Sequence, residues 1–248
     1  LDRYIKNTKT PFNMRPSMFI VTSRGCPFNC KFCSVKSIWG RTWRAHSPSR
    51  VIGEIERLVK YGISEIHFID DNFSLDKKRL EIICDEIITK KLNIKWTAPN
   101  GVAIWTLTKK LLKKMKRSGC YRLTFGIETA SLRTQEYIRK TQVDLKKSKE
   151  IIKEANRIGI WTISTFIIGF PNESIWDIEE TVNYAIHSDL DFAFFFLPMP
   201  FPNTDMAKDY SQKITPKELS GRYGVETEYF NVEQLNNLQK NAYKLLIK

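Results

Sequence analysis

The chain has 248 residues, 42% hydrophobic and 12% aromatic, which is enough to bury a continuous core and too apolar for a disordered segment. Forty Lys and Arg against 27 Asp and Glu leave a formal charge of +13, a balance that admits a nucleic-acid partner without requiring one. Five cysteines, three of them clustered, exclude a secreted disulfide framework and predict a cytoplasmic location, and no apolar run approaches the ~20 residues that span a bilayer.

Residues 1–16 are polar and punctuated by Pro11 and Pro16, which reads as a lead-in. The run from Ser17 to Ser23 is the first predicted strand, and a cysteine-bearing loop follows it. Ser47 and Pro48 start a helix whose stripe of Val51, Ile52, Ile55, Leu58 and Val59 is closed by Gly62. Glu65 to Asp70 is the second strand, and Leu80, Ile83, Cys84, Ile87 and Ile88 form the inner stripe of the next helix, with Cys84 a buried thiol. Lys95 to Ala98 is a weak third strand leading into Pro99-Asn100-Gly101. The helix from Leu107 to Ser118 sets Lys109, Lys110, Lys113, Lys114, Lys116 and Arg117 opposite Leu111, Leu112 and Met115. No aromatic residue is interleaved there, so the run reads as a solvated face and not as a stacking platform.

Gly119 stops that helix, and Cys120 just beyond it reads as core. Arg122 to Ile127 is the fourth strand, ended by Glu128, and helical segments follow around Ser131 to Arg139 and Leu145 to Ile158. Ile160 to Ile168 is β-branched and apolar, as a strand covered on both faces is. Ser174 with Asp177 opens another helix in capping-box style, and Asp191 to Leu197 is the sixth strand.

Strand-then-helix alternation without tight hairpins implies parallel strands with right-handed crossovers. The expected fold class is α/β: a partial (β/α)6 TIM-like barrel over residues 17–205, followed by a C-terminal helical extension over 206–248. A chain that begins at Leu1 and ends inside an apolar helix also reads as a piece of a longer protein. In such folds ligands collect at the carboxyl ends of the strands. Those ends carry the cysteine loop, Asp70-Asp71-Asn72, Asn100, Glu128, Gly169-Phe170-Pro171 and Pro198-Met199-Pro200.

Within Arg24-Gly25-Cys26-Pro27-Phe28-Asn29-Cys30-Lys31-Phe32-Cys33 the thiols of Cys26, Cys30 and Cys33 stand at C-x-x-x-C-x-x-C spacing. Thiolates this close can converge on one metal centre. Zinc would ask for a fourth ligand, and the nearest candidate is His46. A cubane iron–sulfur cluster held by three cysteines would instead keep one iron open for an exogenous ligand.

C-x-x-x-C-x-aromatic-C after a first strand resembles the signature of the radical S-adenosylmethionine (SAM) enzymes, with Phe32 in the aromatic position. The resemblance implies a [4Fe-4S] cluster that reductively cleaves SAM to methionine and a 5'-deoxyadenosyl radical, which abstracts hydrogen from a substrate. It implies cofactor contacts from Asp70, Asp71 and Asn72, which stand where many members carry Gly-Gly-Glu. Glu128 then falls near the ribose or methionyl group, Ser164 near the ribose, Gly169 against the adenine, and Leu197 at the sixth strand end. In Pro200-Phe201-Pro202-Asn203-Thr204, Asn203 replaces a common glycine, and asparagine tolerates positive φ.

Trp39-Gly40-Arg41, the Asp-Asp pair, Gly126-Ile127-Glu128 and the tail from Val232 to Ile247 look most like the subgroup whose radical domain follows a cobalamin-binding domain. That likeness implies methyltransferase or ring-forming chemistry, with cobalamin brought by a domain outside these residues. A one-electron reductant of flavodoxin or ferredoxin type is the implied partner, with a small-molecule substrate favoured over nucleic acid. The alternatives are an RNA-modifying, methylthiotransferase-like radical enzyme and a non-catalytic metal-stabilised binding protein.

Overall fold

A computed structural model describes residues 16–210 and 225–246; most of the lead-in, part of the C-terminal extension and Ile247 lie outside the described residues. Six strands alternate with helices: β1 Ser17–Ile20, β2 Glu65–Phe68, β3 Lys95–Val102, β4 Cys120–Glu128, β5 Trp161–Ile167 and β6 Phe192–Phe196. They lie in one sheet in sequential order, and the β1–β2, β2–β3, β3–β4 and β5–β6 ladders are parallel. Sequential order is that of a (β/α)6 arrangement of the TIM kind, whereas an open doubly wound sheet would permute it. The helices are α1 Val35–Trp39, α2 Pro48–Lys60, α3 Lys77–Thr89, α4 Lys109–Arg117, α5 Leu132–Tyr137, α6 Leu145–Arg157, α7 Ile175–Ile186 and α8 Val232–Leu246.

Local chemistry sets the helix starts. Ser47 accepts from the Arg50 amide with Pro48 at the first turn, Asp76 accepts from Arg79, and Thr108 accepts from Leu111. Ser174 and Asp177 form the expected capping box at α7. Each such cap stabilises its helix by about 1 kcal/mol. Gly62 and Gly119 follow their helices at φ 85° and 103°, and Asn203 adopts φ 65°.

Three expectations shift. The first strand ends at Ile20, and Ser23–Arg24 instead pairs antiparallel with Arg44–Ala45. Strand β3 continues past Ala98 because Pro99, Asn100 and Gly101 fall in a register gap between Ala98 and Val102, where proline owes no ladder hydrogen bond. Strand β5 is fully buried only over Thr162–Ser164, since Thr165 and Ile167 are half-buried. The cysteine loop also contains a short helix, α1, that no periodicity announced.

The chain divides into two compact units. The first comprises residues 1–25, 43–125 and 150–162. Its core includes Ile55, Ile66, Phe68, Phe73, Leu80 and Trp96, with Phe68 stacked on Phe73 at 4.2 Å and Trp96 edge-on to both. Cys84 and Cys120 are buried there as free thiols, as expected. The second unit comprises residues 26–42, 126–149 and 163–248. Ile138, Phe170, Met206 and Tyr210 form a core cluster in it, and Phe166 stacks on Phe195 at 5.6 Å. Among the described residues no helix is long and apolar enough to cross a membrane.

Candidate active site

In the first unit the strand end after β2 is tied to the chain just before the cysteines. Asp70, 1% exposed, accepts from the Thr22 amide at 2.6 Å, the Thr22 hydroxyl at 2.6 Å and the Ser23 hydroxyl at 2.5 Å. Both carboxylate oxygens are therefore engaged, and Asp70 fixes the backbone that leads into the loop. Asp71 does the same one step on, accepting from the Gly25 amide at 2.7 Å. Arg79 donates to the Thr22 and His46 carbonyls, holding the outgoing and returning strands of the loop together. Asn72 is buried, and the Asn100 side chain donates to the Ile69 carbonyl at 2.8 Å.

The cysteine loop itself belongs to the second unit. Cys26, Cys30, Phe32 and Cys33 are half-buried, and the Cys33 amide closes a tight turn on the Cys30 carbonyl at 3.1 Å. The backbone of Lys31 is held from both sides, donating to Ile138 at 3.0 Å and accepting from Met206 at 2.9 Å. Burial pushes the Cys30 thiol up to about 11; Lys140 opposes that shift, while Cys33, Glu128 and Cys26 add to it. Cys33 is raised as well, chiefly by burial. Three thiols on one loop, two of them acting electrostatically on the third, are by their chemistry a donor set that would suit an iron–sulfur cluster. Among the described residues no group of three His, Cys, Asp or Glu side chains is arranged to hold a single metal ion.

Beside the loop sits a buried ion pair. Lys140 Nζ lies 2.9 Å from Glu128 Oε1, the two side chains being 9% and 11% exposed, and Nζ stands 5.9 Å from the Phe32 ring centroid. Burial works against the Lys140 ammonium, but Glu128 and Cys30 outweigh it and its pKa ends above the ordinary lysine value. The Thr165 hydroxyl donates to Glu128 Oε2 at 3.2 Å. Glu128 adopts φ 70°, a conformation that costs a non-glycine residue on the order of 1–3 kcal/mol and that gathers at functional sites. Two residues earlier, a Cβ on Gly126 would stand 2.7 Å from Glu128 Oε1 and 3.1 Å from Lys140 Nζ, so the glycine leaves room for the pair.

After β5, Gly169 takes φ 93°, and a Cβ there would meet Leu235 Cδ2 at 2.5 Å. Its missing side chain therefore has a packing reason, the seating of α8, besides the expected close approach of a ligand. Glu173, fully buried, accepts from the Gly169 and Phe170 amides at 2.6 and 3.0 Å and so fixes this turn. Burial pushes its carboxyl up to about 7 against the opposing effect of those amides. Between the ordinary value and about 7 the folded chain retains a proton that the unfolded chain has released, so stability falls as pH rises through that window. Glu173→Gln is expected to abolish this loss, on the order of 3 kcal/mol, in urea titrations compared at pH 5 and pH 8. A wild-type curve that tracks the variant at both pH values would show Glu173 already ionised when folded.

Of the residues singled out from the sequence, the structure gathers Cys26, Cys30, Cys33, Phe32 and Glu128 in one unit, and Asp70, Asp71 and Asn72 in the other. Ser164 is fully buried on the strand face opposite Thr165, and it is Thr165 that reaches Glu128. Leu197 is buried just past the end of β6. Nothing local in the sequence marks Lys140, Thr165 or Glu173 as a site residue. A lysine after a helix looks like solvated surface, and nothing local shows that Lys140 turns inward.

A family model described as the Radical SAM superfamily matches residues 20–185. An uncharacterised methyltransferase of Pyrococcus horikoshii is 37% identical over 262 residues, covering 100% of this chain and 55% of its own length. Cytidylyl-2-hydroxyethylphosphonate methyltransferase of Streptomyces wedmorensis is 30% identical over 225 residues, 87% of this chain and 42% of its own. The chain thus spans about half the length of the curated relatives it matches. Among solved structures, the radical SAM methyltransferase TsrM of Kitasatospora setae, with cobalamin and a [4Fe-4S] cluster bound, superposes with TM-score 0.73 at 17% identity over 82% of this chain and 42% of that one.

Proposed function

Because this chain belongs to the radical SAM superfamily and is therefore an enzyme, we propose that Cys26, Cys30 and Cys33 hold a [4Fe-4S] cluster and that the enzyme is a methyltransferase of the cobalamin-dependent kind. The cluster, once reduced, supplies the electron that splits SAM into methionine and a 5'-deoxyadenosyl radical. The observation that carries the reading is the half-buried three-thiol loop beside the Lys140–Glu128 pair. The methyltransferase names of the curated relatives and the cobalamin in TsrM support methyl transfer, with cobalamin brought by a domain outside these residues.

The chain's own residues then have distinct tasks. Lys140 offsets the negative charge that three thiolates bring into a desolvated loop. Glu128, held by Lys140 and Thr165, presents a fixed carboxylate suited to a ribose hydroxyl or the methionyl ammonium. The Gly169 turn, locked by Glu173, offers backbone to the adenine, and Leu197 adds an apolar contact. Asp70, 1% exposed, already accepts three hydrogen bonds from Thr22 and Ser23, which leaves Asp71 and Asn72 as the candidates for the cofactor's amino group.

Anaerobic reconstitution with iron and sulfide tests this directly. The expected product is a brown protein with about four irons per chain that, given dithionite, converts SAM to 5'-deoxyadenosine and methionine. Stoichiometric zinc and no cleavage would instead support a metal-stabilised binding protein.

A further inference from the structure

Helix α1 begins two residues after Cys33 and buries none of its five side chains. Ile38 is 66% exposed and Trp39 38% exposed, an apolar pair placed where burial would normally be expected. The helix is held by polar contacts at its margin: the Ser37 hydroxyl donates to the Asn203 carbonyl at 3.1 Å, and Lys36 reaches Asp205 at 3.2 Å. Around that margin positive charge exceeds negative. Lys36, Arg139 and Lys208 converge on the single carboxylate of Asp205 at 3.2, 2.7 and 3.5 Å, their own side chains 36%, 46% and 78% exposed. Arg41, just past the helix, lays its guanidinium on the Pro27 carbonyl at 3.3 Å.

An apolar centre inside a charged rim is the anatomy of a protein interface, and a rim with a net charge of one sign selects a partner of the other. We propose that α1 and its basic rim form the docking surface for an acidic one-electron carrier protein, which gives up one electron as the chain's iron–sulfur centre gains it. This rests on the radical reading above. It adds what that reading leaves open, the face through which the electron enters. Proximity supports it, since the apolar pair lies on the same loop as the cluster thiols. Charge complementarity supports it too, because three exposed cations share one carboxylate and the rim keeps a net positive charge that an acidic partner would meet.

The test compares two reductants on the reconstituted chain, reduced flavodoxin and dithionite, each driving 5'-deoxyadenosine formation. Ile38→Glu and Lys208→Glu are expected to slow the flavodoxin-driven rate about tenfold and to leave the dithionite-driven rate unchanged. The wild-type flavodoxin rate is expected to fall as salt is raised from 50 to about 300 mM, since screening acts on exposed charges. Equal flavodoxin rates in wild type and variants, or indifference to salt, would overturn the proposal. So would a wild-type dimer that Ile38→Glu dissociates, because the patch would then belong to a second copy. Loss of cleavage with dithionite in the wild type would instead sink the radical reading itself.

Discussion

Cys30→Ala is expected to purify without a brown colour after reconstitution and to form no 5'-deoxyadenosine, while Cys84→Ser and Cys120→Ser retain wild-type iron. The contrast follows from where the sulfurs lie. Cys30 is central in the loop, half-buried, and its thiol responds to Cys26 and Cys33. Removing it leaves two thiols, too few to anchor the cube against loss of iron. Cys84 and Cys120 are 0% and 1% exposed in the other unit, with burial pushing the Cys84 thiol up to about 12 and Cys120 well above the ordinary value. They are packing residues, so a hydroxyl in their place costs on the order of 1–3 kcal/mol of stability and no metal. Because Cys30 and Cys33 are raised as free thiols, cluster assembly must release their protons, and iron loading of the wild type is expected to rise with pH. Iron loss in Cys120→Ser would reassign the ligands.

Much of this architecture is legible in the sequence because it is written in local signals. Ser174 with Asp177 declares a helix start, Gly62 and Gly119 declare stops, and Asn203 declares a left-handed turn. The thiol spacing is equally local, so the proposed cluster ligands, Cys26, Cys30 and Cys33, stand out in the sequence alone. What escapes is chemistry made by residues far apart in the chain. Asp70 looks like a cofactor contact or a turn cap until Thr22, 48 positions earlier, is found using its oxygens. Gly169 looks like room for a ligand until Leu235 of α8 is found beside it. Strand β3 outruns its predicted end because tolerance of Pro99 depends on the register of its neighbours, which a single sequence does not contain. Lys140 is the largest omission, for a lysine turned inward differs in no local way from one turned outward.

That lysine also carries the largest expected effect on stability. Lys140→Met keeps most of the apolar stem of the side chain but leaves Glu128 a buried carboxylate that has lost its cation and still accepts from the Thr165 hydroxyl at 3.2 Å. Removing one partner of a buried pair costs about 3–5 kcal/mol, more than forming the pair contributes, because the survivor remains desolvated and uncompensated. The double variant Lys140→Met with Glu128→Gln is expected to regain most of that loss, since a neutral amide still accepts from Thr165 and no charge is stranded. Urea midpoints for the two single variants and the double variant give the coupling directly. An additive cycle would mean that Lys140 and Glu128 do not sense each other, contrary to their 2.9 Å separation. The same variants separate folding from cluster chemistry. If the double variant folds at near wild-type stability yet loads less iron, the deficit lies in the charge beside the thiols, which is the task assigned to Lys140.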